Sequence, residues 1–173
     1  MGLAMAVNLQ KHLASQGFPA LHYHNRTMSR GAPLADAGGV PASSIGGLVK
    51  QCDVIFMSLS DDSAQSSVIG QILKFCIETG HDLRDKIIVD TSTVHPDSSR
   101  AAEAELGAQG GSFVAAPVFG ASPVAAQGQL LWILAGNGDA IRAIKPFIVG
   151  VMGRGIIELG EDVRQSSLMK TAG

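Results

Sequence analysis

Four short clusters and one isolated lysine carry the side chains able to do chemistry. The clusters are Asn25-Arg26-Thr27, Leu59-Ser60 with Asp61-Asp62, Asp90-Thr91-Ser92-Thr93, and Phe119-Gly120-Ala121; the lysine is Lys170. An arginine is a permanent cation with a planar fork of donors, suited to phosphate or carboxylate. Hydroxyls donate or accept, and a glycine lets backbone approach a ligand. A lysine moves protons where its surroundings tune it toward the working pH. Taken alone, each has an ordinary structural explanation. Arg26 suits a solvated turn, Ser60 and the 91–93 hydroxyls suit helix caps, Phe119 suits a core, and Lys170 suits exposed surface. Histidines 12, 22, 24, 81 and 95 show no metal-ligand spacing, and Cys52 and Cys76 form no CxxC. The two cysteines read as reduced, core-packed thiols, and no metal site is expected.

What raises the clusters above that background is the pattern of elements around them. Residues 3–15 read as a helix stopped at Gly17. Residues 19–24 read as a short strand ending in the 25–27 turn. Glycines and prolines break residues 28–47, leaving short helices expected near 32–37 and 43–50. Residues 53–59 form a continuous apolar run, the mark of a strand buried on both faces. Ser60 is placed to cap a helix that runs to Glu78, with Asp61 and Asp62 complementing its positive end and Gly80 stopping it. Strands follow at 86–90, 112–116, 130–135 and 155–159. Helices are expected from Pro96 to Leu106 and over 139–149, with a helical or turn segment at 124–128 and a helix starting at 166. This alternation predicts a doubly wound α/β fold with a mostly parallel sheet covered on both faces. Ligands of such sheets bind beyond the carboxyl ends of the strands, where the four clusters fall.

Composition narrows the function classes. The chain has 173 residues, enough for one domain, and 46% are hydrophobic against 16% charged, so a core rather than disorder is expected. A net charge of -2 with no basic run argues against nucleic acid as a partner. No apolar stretch approaches the roughly 18–20 residues of a membrane span. The N-terminal segment lacks the basic start of a signal peptide, and a reducing, cytoplasmic setting is the default, with a mitochondrial one left open.

In their order, the motifs resemble the β-hydroxyacid dehydrogenases, the group that contains 3-hydroxyisobutyrate dehydrogenase and the glyoxylate/succinic semialdehyde reductases. The resemblance covers nearly the whole chain. Met1-Gly2-Leu3-Ala4-Met5-Ala6-Val7-Asn8-Leu9 is similar to the end of the family's Gly-x-Gly-x-Met-Gly fingerprint and the helix behind it. Asp90-Thr91-Ser92-Thr93 resembles Asp-x-Ser-Thr, and Ala116-Pro117-Val118-Phe119-Gly120-Ala121 resembles the family's Asp-Ala-Pro-Val-Ser-Gly-Gly from its alanine onward. Lys170 stands where the family carries its catalytic lysine. The resemblance implies a Rossmann-like nicotinamide-dinucleotide site using Met1, Gly2, Asn25, Arg26, Thr27, Leu59, Ser60 and Thr93. It implies a substrate carboxylate at Phe119, Gly120 and Ala121, with Lys170 as acid/base. Two departures stand out: Phe119 replaces a serine and Ala121 a glycine.

No acid lies between Met1 and Leu34, where an NAD site places one against the ribose 2′-hydroxyl, and Arg26 stands there instead. That implies NADP over NAD, and a reductase of a small β-hydroxyacid's semialdehyde or keto form. Two competing readings are a non-catalytic dinucleotide-binding module and an imine reductase on the same fold; Lys170 weighs against both. The resemblance also implies a domain over 1–163 lacking its first strand, and at 164–173 the start of a helix leading to an all-α domain. The full protein is then expected to be a homo-oligomer, and the 173-residue piece a weak binder at best.

Overall fold

The computed structural model describes residues 1–173. Helix α1 (Gly2–Ser15) leads to strand β1 (His22–Tyr23), a 3-10 turn (Met28–Gly31), α2 (Ala32–Asp36) and β2 (Val40–Pro41). Then come α3 (Ile45–Gln51), β3 (Val54–Met57), α4 (Asp62–Thr79), β4 (Ile87–Asp90), α5 (Pro96–Ala108) and β5 (Ser112–Ala115). The last part holds β6 (Val118–Phe119), α6 (Ser122–Ala126), β7 (Leu130–Gly136), α7 (Gly138–Ile148), β8 (Gly153–Glu158) and α8 (Arg164–Ala172). No helix is long and apolar enough to cross a membrane.

The strands sort into two sheets. β1 and β2 pair in parallel, and six strands form a second sheet in the order β3-β4-β5-β7-β6, with β8 on β7. The pairs β3–β4, β4–β5 and β7–β8 are parallel. β7 runs antiparallel to β5 and β6, so the parallel sheet expected from the alternation reverses at this strand. No ladder joins β1 to β3. A cavity of about 600 Å³ lies there, walled by Tyr23 of β1, Phe56 of β3 and Leu9 of α1. A doubly wound sheet places its first strand at that position.

Burial explains the layers. Successive strand side chains point to opposite faces. In β4, Ile88 and Val89 are both fully buried yet belong to different core clusters, and Phe113 and Val114 of β5 divide the same way. One cluster joins the sheet to α1 and α7 through Met5, Leu9, Ile141 and Ile144. The other joins it to α3, α4 and α5 through Val49, Ile69, Ile72 and Leu106. A sheet clothed on both faces needs such runs of apolar residues.

Several boundaries differ from expectation for local reasons. The cap of α4 is Asp61, whose carboxylate accepts from Ala64 N at 2.8 Å, while Ser60 donates to Asp61. Gly80 does end that helix, in the left-handed conformation with φ 72°. β2 and β6 have two residues each, too short for any period to announce them. α6 begins at Ser122 and α8 at Arg164, each two residues earlier than read, and β8 starts at Gly153. Both cysteines are free thiols.

Candidate active site

The ends of β3 and β4 are braced together by the polar residues of the 90–93 motif. Thr91 Oγ1 donates to the Met57 carbonyl at 2.8 Å, and Leu59 N donates to Ser92 Oγ at 2.9 Å. Ser92 N and Gln65 Nε2 donate to the two carboxylate oxygens of Asp90, at 2.9 and 2.6 Å. Asp62 accepts from His95 N and Ser98 Oγ, tying the start of α4 to that of α5. These hydroxyls are therefore structural, and no buried side-chain polar atom lacks a partner. Thr93 is the member of the motif left exposed.

Burial pushes the Asp90 carboxyl above the usual carboxylate range, against the opposing pull of the Ser92 and Gln65 hydrogen bonds. The folded protein thus keeps this proton to a higher pH than the unfolded chain does. The stability involved is full below the ordinary carboxylate pKa and is lost as pH rises through the raised one. Asp90→Asn retains an acceptor for Ser92 N and, with the Gln65 amide turned over, donates to Gln65. The Tm difference between the Asp90→Asn variant and the wild type is expected to shift in the variant's favour from acid to neutral pH. A difference constant across that range would show that Asp90 does not titrate in this way.

The start of α1 forms a second part of the site. Its first turn holds no acid, and Met1 gives no side-chain cap to the leading N–H groups of this 14-residue helix. Gly2 is required by proximity: a Cβ there would lie 2.9 Å from Ser58 Oγ at the end of β3. Met1, Gly2, Asn25 and Thr91 all line the cavity beside β1, together with Ser58 and Arg30. A helix start without acid, seated on a strand end beside a cavity, fits a dinucleotide's pyrophosphate.

The 25–27 turn is shaped by Asn25, whose Nδ2 donates to the Thr27 carbonyl at 2.8 Å. Arg26 and Thr27 are exposed and do not line the cavity. Arg30, one 3-10 turn later, does line it, and no carboxylate pairs with either arginine. Sequence reasoning misses Arg30; the available signal is a second arginine four residues after Arg26. Leu59, Ser60 and Thr93 lie outside the cavity walls, around the braced strand ends.

The third part gathers β6, the turn after it and α8. Val118 pairs with Trp132 and Phe119 with Leu131, which sets Phe119 on the less buried side of β6. Gly120 follows with φ 134°, and a Cβ there would meet Leu130 Cδ2 at 2.7 Å. Only glycine is tolerated in that backbone region. Asn8 of α1 donates to the carbonyls of Ala125 and Ala126 at 3.0 and 3.2 Å, so α1 holds the end of α6. On α8, Ser166 Oγ donates to the Ala115 carbonyl at 3.3 Å, and Ser167 Oγ meets Ser99 Oγ at 2.7 Å. Lys170 lies three and four residues further on, hence on the same helix face. Its ammonium sits 4.6 Å from the centre of the Phe119 ring. A groove of about 500 Å³ between α5 and α8, lined by His95, Arg164 and Gln165, contains none of the candidate residues.

A parallel-rich sheet clothed on both faces, with a free helix start and a basic turn at its strand ends, defines a Rossmann-like dinucleotide-binding domain. The chain belongs to the family of the NAD-binding domain of 6-phosphogluconate dehydrogenase, whose profile matches residues 1–160. It is 31% identical over 153 residues to the NADH-dependent oxidoreductase ucdB of Aspergillus ustus, covering 87% of this chain and 51% of that protein. It is 32% identical over 141 residues to glyoxylate/succinic semialdehyde reductase 1 of Arabidopsis thaliana, covering 79% and 45%. The fold matches that of a 3-hydroxyisobutyrate dehydrogenase from Mycobacterium tuberculosis at a TM-score of 0.85 and 20% identity, over 99% of this chain and 55% of that one. The chain thus spans about half the length of the curated relatives it matches. The resemblance to β-hydroxyacid dehydrogenases holds at the family level.

Proposed function

We propose that this chain supplies the dinucleotide site and the acid/base of an NADP-dependent reductase of small β-hydroxyacids, acting on their semialdehyde or keto forms. The observation that carries the reading is Lys170. Two buried serines anchor α8 to β5 and α5, and Lys170 on the same helix lies over the Phe119 ring of β6, beside the turn read as the substrate site.

The bound nicotinamide supplies the hydride. The chain's own residues do the rest. The start of α1, with Gly2 seated on Ser58, holds the pyrophosphate. Arg26 and Arg30 receive a 2′-phosphate through charge-assisted hydrogen bonds. Thr93, the exposed hydroxyl of its motif, would contact the nicotinamide. The Phe119-Gly120-Ala121 turn receives the substrate carboxylate through backbone N–H groups. Lys170 donates a proton to the carbonyl oxygen in reduction and withdraws it in oxidation.

The preference for NADP rests on the missing acid before Asp36 and on two arginines without carboxylate partners. Charge-assisted hydrogen bonds are worth about 1.5–3 kcal/mol, so the Arg26→Ala/Arg30→Ala double variant is expected to bind NADPH roughly 10- to 100-fold more weakly. Its NADH affinity stays unchanged. Titration calorimetry with both cofactors checks this, and equal affinity of the wild type for NADH and NADPH would reject the preference.

A further inference from the structure

We propose that Phe119 is a positioning residue for Lys170: the face of its ring holds the lysine's ammonium over the end of β6. The inference rests on Lys170 being the acid/base and adds the group that sets where its proton is delivered.

Both partners are fixed at their bases by elements far apart in the chain. Phe119 is held by the β6–β7 ladder, opposite Leu131. Its neighbour Val118 is buried in the core, so strand alternation turns the Phe119 ring to the other side. Lys170 is held by α8, whose buried Ser166 and Ser167 anchor to β5 and α5. The ring lies along the last turn of α8, since a Cβ on Gly173 would stand 3.3 Å from Phe119 Cζ. Between these bases the ammonium comes to 4.6 Å from the ring centroid, within the range in which an aromatic face attracts a cation. No carboxylate of residues 1–173 forms a salt bridge with Lys170, and its ammonium lies against the ring face.

A long lysine side chain with no partner samples many rotamers. An aromatic face narrows that choice without accepting a proton, so the ammonium remains free to donate from its outward side. A carboxylate in the same place would hold the proton it is meant to deliver.

The test reads the contact by NMR on the 173-residue chain. Protons above a ring face are shielded, so the ε-methylene signals of Lys170, assigned as those lost in Lys170→Arg, are expected upfield of every other lysine. Phe119→Leu, which keeps an apolar side chain for β6, should return them to the ordinary lysine position with little change in Tm. Phe119→Tyr should keep them shielded. Turnover of the full-length enzyme follows in parallel: kcat falls roughly 2- to 30-fold in Phe119→Leu and recovers in Phe119→Tyr, with cofactor affinity unchanged. Lys170 signals at the ordinary position in the wild type, or signals unmoved by Phe119→Leu, would overturn the proposal. Full turnover in Lys170→Ala would instead remove the acid/base reading, while the shielding still reports the contact by itself.

Discussion

Lys170→Ala is expected to lower kcat for hydride transfer by about 10²–10⁴, the usual contribution of a positioned acid/base, and to leave dinucleotide affinity unchanged. The separation of the two effects comes from the layout. The proposed pyrophosphate site is the start of α1 and the basic turn follows β1, whereas Lys170 lies on α8 and its aromatic partner is on β6. The lysine's β-carbon also contributes little to the core, because its buried neighbours Ser166 and Ser167 anchor the helix without it. Lys170→Arg should be impaired as well, since a guanidinium keeps its proton at any working pH and cannot take one from a substrate hydroxyl. Small primary amines added to Lys170→Ala should restore part of the rate, because the half-exposed position of the side chain is open to them. Stopped-flow measurement of NADPH oxidation with glyoxylate or succinic semialdehyde, alongside calorimetric NADPH binding, separates the two quantities. Wild-type turnover in Lys170→Ala would remove the lysine from the chemistry.

The largest effect on stability is expected from Trp132→Ala. Trp132 is fully buried in β7, between β6 on one edge and β8 on the other. Its ring meets Phe56 of β3 edge-on, with centroids 6.2 Å apart, and Nε1 reaches the Met152 carbonyl. Gly153 of β8 lies so close that a Cβ would stand 2.5 Å from Trp132 Cδ1. The Met152–Gly153 backbone is therefore built against the ring and has little room to close on a void. Loss of a buried tryptophan costs about 3–5 kcal/mol. Against a typical total of about 5–15 kcal/mol this is a large share, and it corresponds to a fall in Tm on the order of 10 °C. Circular dichroism must follow the melt, because Trp132 is the chain's single tryptophan and the variant has no indole signal. A fall of only a degree or two would mean that the β7 core repacks freely. Removing Phe56 as well should cost less than the sum of the separate losses, since the pair shares one contact.

The legible parts of the fold were those whose signal is local. The apolar run Asp53–Leu59 reads as a strand buried on both faces; β3 forms there with side chains packed on both cores, but Val54, Ile55 and Phe56 are only partly buried because they border the cavity beside β1. Gly17 and Gly80 mark helix ends by a backbone conformation that glycine adopts at no steric cost. Local signals failed where two neighbouring residues could play the same part. Ser60 and Asp61 are both good caps, and in the fold Asp61 takes the role while Ser60 donates to it. They failed again where an element has no identity without its partner: β6 is a strand because β7 lies beside it.

The same division runs through the candidate site. The order of the motifs along the chain suffices to establish the family, because each motif is a short stretch whose residue types answer a local demand. A glycine meets a strand end, an arginine stands where an acid is absent, and a lysine sits on a helix. Which of these side chains remain available to a ligand depends on contacts across the chain. Thr91 and Ser92 bond to the end of β3 and the residues just past it, leaving Thr93 exposed, and the 3-10 turn brings Arg30 rather than Arg26 to the cavity wall. Phe119 reads by sequence as a departure from a serine and nothing more. Only the packing of α8 on α5 and β5, through its pair of buried serines, brings Lys170 back across the sheet to the ring of Phe119. No periodicity within either segment carries that contact, because it is set by the distance between two anchored backbones.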